Sequence, residues 1–150
     1  MVGLTNYELE KLAIKILGNS FLGVYPSDSI PEVKNLNNSS IIFNLSKHTE
    51  SGTHYVAVFF NNSKIFYFDS YGKTLTNYFI KKNLRKFKLP IFFQTRSIQH
   101  QNSIFCGLYA LAYLKLTQKN RLSPSKFYSM FKHPPEKNND KIVTKILLSK

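Results

Sequence analysis

Apolar positions recur every three to four residues near the start of the chain, where Leu9, Leu12, Ala13, Ile16 and Leu17 fall on one helical face. Thr5-Asn6-Tyr7-Glu8 reads as a capping box before that face, and Gly18 supplies a stop. From Phe21 to Pro31 the residues Gly23, Pro26, Ser27, Asp28 and Pro31 break any period, which predicts a loop. A short strand is expected at Ile41-Ile42-Phe43-Asn44-Leu45. Two β-branched and aromatic runs, Thr53 to Phe60 and Lys64 to Phe68, flank Asn61-Asn62-Ser63 and predict a hairpin. Leu75 to Phe87 sets Leu75, Tyr78, Phe79 and Leu84 against Lys81, Lys82, Arg85 and Lys86, the pattern of a basic amphipathic helix. Pro90 ends it, and Ile91 to Thr95 reads as a strand. Cys106 to Leu116 is apolar nearly all round, so a buried helix is expected there. Ser123-Pro124 opens a short helix, and Asn139 to Leu148 forms the last. The expectation is one α+β domain over residues 1–150, with a central buried helix on a small, mostly antiparallel sheet.

Composition changes this picture in two respects. The chain carries 21 Lys and Arg against 8 Asp and Glu, a net charge of +13. A field of that size favours polyanions, DNA or RNA first and an acidic partner or membrane surface next, with a solubilising surface as the alternative. Its single cysteine, Cys106, excludes an intramolecular disulfide and points to a reducing compartment. No apolar run reaches the roughly 18 residues of a membrane span, and the first residues lack a signal-peptide pattern. A soluble, unsecreted monomer without membrane association is therefore expected.

Candidate chemistry gathers around that cysteine. Cys106 stands where a polar loop, Gln99-His100-Gln101-Asn102-Ser103, meets the buried helix. A thiol there faces the positive end of the helix dipole, which favours a thiolate. Gly107 beside it leaves room for a substrate backbone. A small core residue is the competing reading of a lone cysteine. His54 opens the first hairpin strand and Asp69 ends the second. A turn at Asn61-Asn62 sets the two directly opposite, whereas a loop that includes Ser63 makes them diagonal neighbours on one face. Either register lets the carboxylate orient the imidazole, as a nucleophile's base requires. His48, His100 and His133 sit in polar loops and read as solvated. Acyl transfer also needs oxyanion donors, and Gln94, Gln99 and Gln101 all remain open for that role.

Three stretches, in order, resemble the adenain family of adenovirus endopeptidases, which share a fold with the SUMO-specific proteases. They are Gly52-Thr53-His54-Tyr55, Tyr67-Phe68-Asp69-Ser70-Tyr71-Gly72 and Gln99-His100-Gln101-Asn102-Ser103-Ile104-Phe105-Cys106-Gly107-Leu108. Glu8-Leu9-Glu10-Lys11 and Phe21-Leu22-Gly23-Val24-Tyr25 resemble the family's opening helix and the loop after it, so the likeness covers about residues 5 to 116. It implies a papain-like, adenain-like fold, with Cys106 as nucleophile, His54 as base, Asp69 as its acidic partner and Gln99 as oxyanion donor. Gln99 is singled out because the family's glutamine stands seven positions before the cysteine, with Asn-Ser between, as Asn102-Ser103 do here.

The chain departs from the family in three places. Tyr55 replaces the Trp that usually follows the histidine, and Asp69 replaces the Glu of adenains, as in the SUMO-specific proteases. Adenains are activated by a basic peptide tethered through a second cysteine, which this chain lacks.

The resemblance implies a viral maturation protease that cleaves capsid or core precursor polypeptides at small, glycine-containing sites, in the virion and the host nucleus or cytoplasm. The chemistry would need no cofactor. DNA, through Lys81, Lys82, Arg85, Lys86 and Lys88, or an untethered peptide are the candidate activators. A deubiquitinase or SUMO-specific protease acting after Gly-Gly, and a non-catalytic nucleic-acid-binding module, are the alternatives.

Overall fold

Thr5 opens the first helix by reciprocal capping. Its hydroxyl accepts the Glu8 N–H at 3.1 Å, and the Glu8 carboxylate accepts the Thr5 N–H at 3.0 Å. The computed structural model describes residues 4–45 and 54–149, and α1 spans Asn6–Leu17 with Leu9, Ala13 and Leu17 buried. Gly18, at φ 73, ends it.

The next segment corrects the sequence expectation. Phe21–Pro26 is not a loop but the edge strand β1, parallel to β2 (Ser39–Asn44). Gly23, at φ 138, lies where the pairing shifts between Phe21 and Val24. A bulge absorbs the glycine, and Pro26 ends an edge strand, where proline is tolerated.

Strands β3 (Tyr55–Asn61) and β4 (Lys64–Phe68) form the expected hairpin. Asn61 pairs with Lys64, so Asn62 and Ser63 make the turn, both at positive φ (49 and 60). Positive φ at both central residues is the mark of a type I′ turn, whose twist suits a hairpin. Helix α2 (Tyr78–Arg85) is shorter than its periodicity predicts. Asn77 starts it by accepting the N–H groups of Phe79 and Ile80, both at 3.1 Å, which leaves Leu75 buried in the preceding loop. Strand β5 keeps only Ile91–Phe92 of the expected five residues.

Sheet order is β1-β2-β3-β4-β5. The sheet is mixed rather than mostly antiparallel: β2–β3 and β3–β4 are antiparallel, while β1–β2 and β4–β5 are parallel. Long connections cause this. A crossover carrying α2 returns the chain beside β4 in the same direction, as a tight turn cannot.

Side chains alternate between two covered faces. Ile42, Ala57, Phe59 and Phe68 join one core with α1 and α3 (Cys106–Tyr113), α4 (Pro124–Ser129) and α5 (Asn139–Leu148). Ile41, Phe43, Val56, Val58, Phe60, Ile65 and Tyr67 join the other with Ile80 and Leu84 of α2. Burial on both faces explains why β2 and β3 read as continuous apolar runs.

Helix α3 is buried at Gly107 and from Tyr109 to Tyr113, and it runs on past its expected end at Leu116 as π-helical turns over Leu114–Lys119. Lys115, buried there, donates from Nζ to the Ile146 carbonyl at 2.7 Å and the Ser149 hydroxyl at 3.2 Å. It thereby satisfies the end of α5, where carbonyls lack helical partners. Among the described residues, no helix is long and apolar enough to cross a membrane.

Candidate active site

His54 lies one residue before β3, where its carbonyl accepts the Leu45 N–H at 2.9 Å. The hairpin register makes it the diagonal neighbour of Asp69, the arrangement that follows when Ser63 belongs to the turn. From there the imidazole Nε2 meets Asp69 Oδ1 at 2.9 Å, with the two side chains 14% and 2% exposed. The buried carboxylate also accepts the Tyr71 N–H at 2.8 Å, so a carboxylate facing an N–H fixes Nε2 as the protonated nitrogen. Nδ1 is then free for a second group.

Cys106, partly exposed, is the first residue of α3. No side chain caps this helix at Phe105, which leaves its first N–H groups directed at whatever binds there. Nδ1 of His54 is buried and has no hydrogen-bond partner among the described residues, and the Cys106 thiol is close enough to act on the imidazole. Catalytic hydrogen bonds of this kind are often long until substrate tightens them. Burial by itself lowers the basicity of His54. Hydrogen bonding to Asp69 and Cys106, with the charge on each, outweighs burial and raises its pKa to about 9.

The turn after Asp69 and the loop before Cys106 hold these groups in place. Tyr71 lays its ring against the imidazole, centroids 4.9 Å apart and tilted by 30°. Gly72 follows at φ 74, and a Cβ there would stand 2.6 Å from the Arg96 carbonyl carbon. Only glycine lets the two backbones meet this closely. The contact brings in the loop before Cys106, because the Ser70 carbonyl accepts the N–H groups of Ile98 (2.9 Å) and Gln99 (3.1 Å).

Gln99 is 1% exposed. Its Oε1 accepts the Ser70 hydroxyl at 2.5 Å and its Nε2 donates to the Ser103 carbonyl at 3.1 Å. The carbonyl can only accept, so the amide orientation is determined, and Nε2 keeps a second N–H for another acceptor.

The other candidates are placed elsewhere. Gln94 donates to Ser125 at 3.4 Å, and Gln101 is exposed. His100 accepts the Asn102 N–H at 3.1 Å, and His133 Nε2 lies 3.3 Å from the Tyr128 carbonyl. His48 lies outside the described residues. Lys81, Lys82, Arg85, Lys86 and Lys88 belong to α2 and the turn after it, on the sheet face opposite α3. Among the described residues, no group of three His, Cys, Asp or Glu side chains is placed to hold a metal.

One expectation changes. Gly107 opens no space for substrate: it is buried, and a Cβ there would lie 3.0 Å from Leu9 Cδ2 and 3.3 Å from Tyr55 Cδ2. It lets α3 dock against α1. Tyr55 is tied through its hydroxyl to Asn6 at the start of α1, and the ring on the imidazole is Tyr71. Ser70 and Tyr71 were legible only as neighbours of Asp69; their spacing of one and two residues from a strand-end carboxylate is the signal that places them.

The geometry thus brings His54, Asp69 and Cys106 together and sets Gln99 in the loop leading to the thiol. No protein-family model matches the chain, and no curated protein sequence matches it.

Proposed function

We propose that the protein is a cysteine endopeptidase with a papain-like, adenain-like arrangement, in which Cys106 attacks the scissile carbonyl. One observation carries this reading: His54 stands between a buried carboxylate and the only thiol of the chain, with one ring nitrogen committed to Asp69. In the proposed cycle, the Cys106 thiolate adds to the carbonyl carbon while the imidazolium is held by Asp69. The oxyanion is met by the free Nε2–H of Gln99 and the uncapped N–H of Cys106. His54 then protonates the departing amine, and the neutral imidazole activates water to release the acyl group.

The substrate class rests on the sequence motifs. Precursor polypeptides of a virus or virus-like element, cut at small glycine-containing sites, fit a family likeness that spans all three motifs. Cleavage of ubiquitin-like modifiers after Gly-Gly uses the same chemistry, and adducts with ubiquitin or SUMO vinyl-sulfone probes would identify it.

The deciding test needs no substrate. A low dose of iodoacetamide at pH 6 should alkylate Cys106 in the wild type and fail to do so in His54→Ala. An unreactive wild-type thiol would leave a basic nucleic-acid-binding module as the better reading. A proteome-wide cleavage profile against Cys106→Ala then gives the recognition motif, with and without DNA.

A further inference from the structure

The loop that carries Gln99 is held from two sides, and the second hold comes from the far end of the chain. Asp140 stands in the first turn of α5, where an acidic side chain suits the helix dipole. Its Oδ1 accepts the Ser103 hydroxyl at 2.9 Å and the Tyr109 hydroxyl at 2.7 Å. Ser103 Oγ, which donates its hydrogen bond to Asp140, accepts the Phe105 N–H at 3.2 Å. The carbonyl of the same serine accepts from Gln99. Tyr109 is wholly buried one turn beyond Cys106 on α3. One carboxylate oxygen therefore joins the oxyanion-side loop to the helix of the thiol. The residue before it adds to the clamp: buried Asn139 donates to the Ile98 carbonyl at 2.9 Å, beside Gln99.

We propose that Asp140 is a positioning residue of the reaction, setting the distance between the Gln99 amide and Cys106 through Ser103 and Tyr109. This inference rests on the acyl-transfer reading of the site. Asp140 touches neither thiol nor imidazole by any hydrogen bond, so its loss should displace the oxyanion donor and spare the Cys106–His54 pair. Alkylation needs the thiolate but forms no oxyanion, whereas amide hydrolysis needs both. The two reactions separate a positioning role from general damage to the fold.

The experiment compares wild type, Asp140→Ala, Asp140→Asn and Ser103→Ala in two assays. One is hydrolysis of a pool of fluorogenic peptide amides ending in glycine. The other is the rate of Cys106 alkylation by iodoacetamide at pH 6. We expect kcat to fall roughly 10- to 100-fold in Asp140→Ala and Ser103→Ala, the scale of a misplacement of about 1 Å. Asp140→Asn, whose amide oxygen can still accept both hydroxyls, should recover most of the rate. Alkylation should stay within about twofold of wild type, since no oxyanion forms in it. Unchanged hydrolysis in Asp140→Ala and Ser103→Ala would overturn the inference alone. So would hydrolysis and alkylation that fall together in both variants, or an Asp140→Asn as slow as Asp140→Ala. A wild type that is alkylated but hydrolyses none of the amides would overturn the endopeptidase reading, and the inference with it.

Discussion

The imidazole of His54 is pulled in two directions, by burial that disfavours its charge and by Asp69 and Cys106 that favour it, and the balance raises its pKa to about 9 from the ordinary 6.5. A folded-state pKa above the unfolded value stabilises the protonated protein. That contribution is whole below about pH 6.5 and is lost as pH rises through about 9. Urea midpoints should therefore decline between those values, and Asp69→Asn should flatten the decline. The same variant tests orientation. An amide at position 69 can present a donor to Nε2, reverse the tautomer and reduce kcat by roughly 10²- to 10⁴-fold, the scale seen when a buried orienting carboxylate is lost. Gly72 is a third residue whose chemistry is dictated by place. Gly72→Ala adds a Cβ at φ 74 against the Arg96 backbone, which should cost about 2–4 kcal/mol of stability by thermal or urea denaturation. The motif residues were legible in the chain because three short stretches carry them in order. The Ser70–Gln99–Ser103–Asp140 chain was not, since its members lie up to 70 positions apart and hydroxyls leave no periodic trace.

Among the elements, helices were read well where an apolar stripe is clear, as at α1, which Thr5 also caps, and at α5 from Asn139 to Leu148. Strand β1 was missed because Gly23 and Pro26 are turn formers by propensity, and only pairing with β2 makes them a bulge and an edge. Strand direction was also hidden. Alternation reports which face a side chain takes, and says nothing of whether the neighbouring strand runs the same way. The hairpin turn offers a direct check. Ser63 adopts φ 60, a left-handed conformation that costs a side-chain-bearing residue about 1–2 kcal/mol. Ser63→Gly makes the preferred Asn-Gly turn, and should raise stability by about 0.5–1 kcal/mol with no change of register. A drop in stability would mean that the Ser63 side chain contributes more than its backbone strain costs.

For the whole molecule, the basic cluster of α2 and the candidate chemistry lie on different faces. The thiol and its partners belong to the side of α1, α3 and α5, while the basic α2 covers the other. Replacing Lys81, Lys82, Arg85, Lys86 and Lys88 by Gln should therefore leave peptide hydrolysis unchanged. If these residues meet phosphates, the same variant loses up to about 0.9 from the slope of log affinity against log salt for each contact removed. An unchanged slope for duplex DNA would show that these five cations act as a solvated surface instead. By itself the sequence determined the residue types of the candidate site, the α+β class and the amphipathic helices, because periodicity, caps and motif spacing are local. Only the tertiary structure decided the mixed sheet, the diagonal meeting of His54 with Asp69, the docking role of Gly107 and the hold of Asp140 on the loop before Cys106. Each of these depends on which distant segments share a surface, and that is settled by packing across the whole fold.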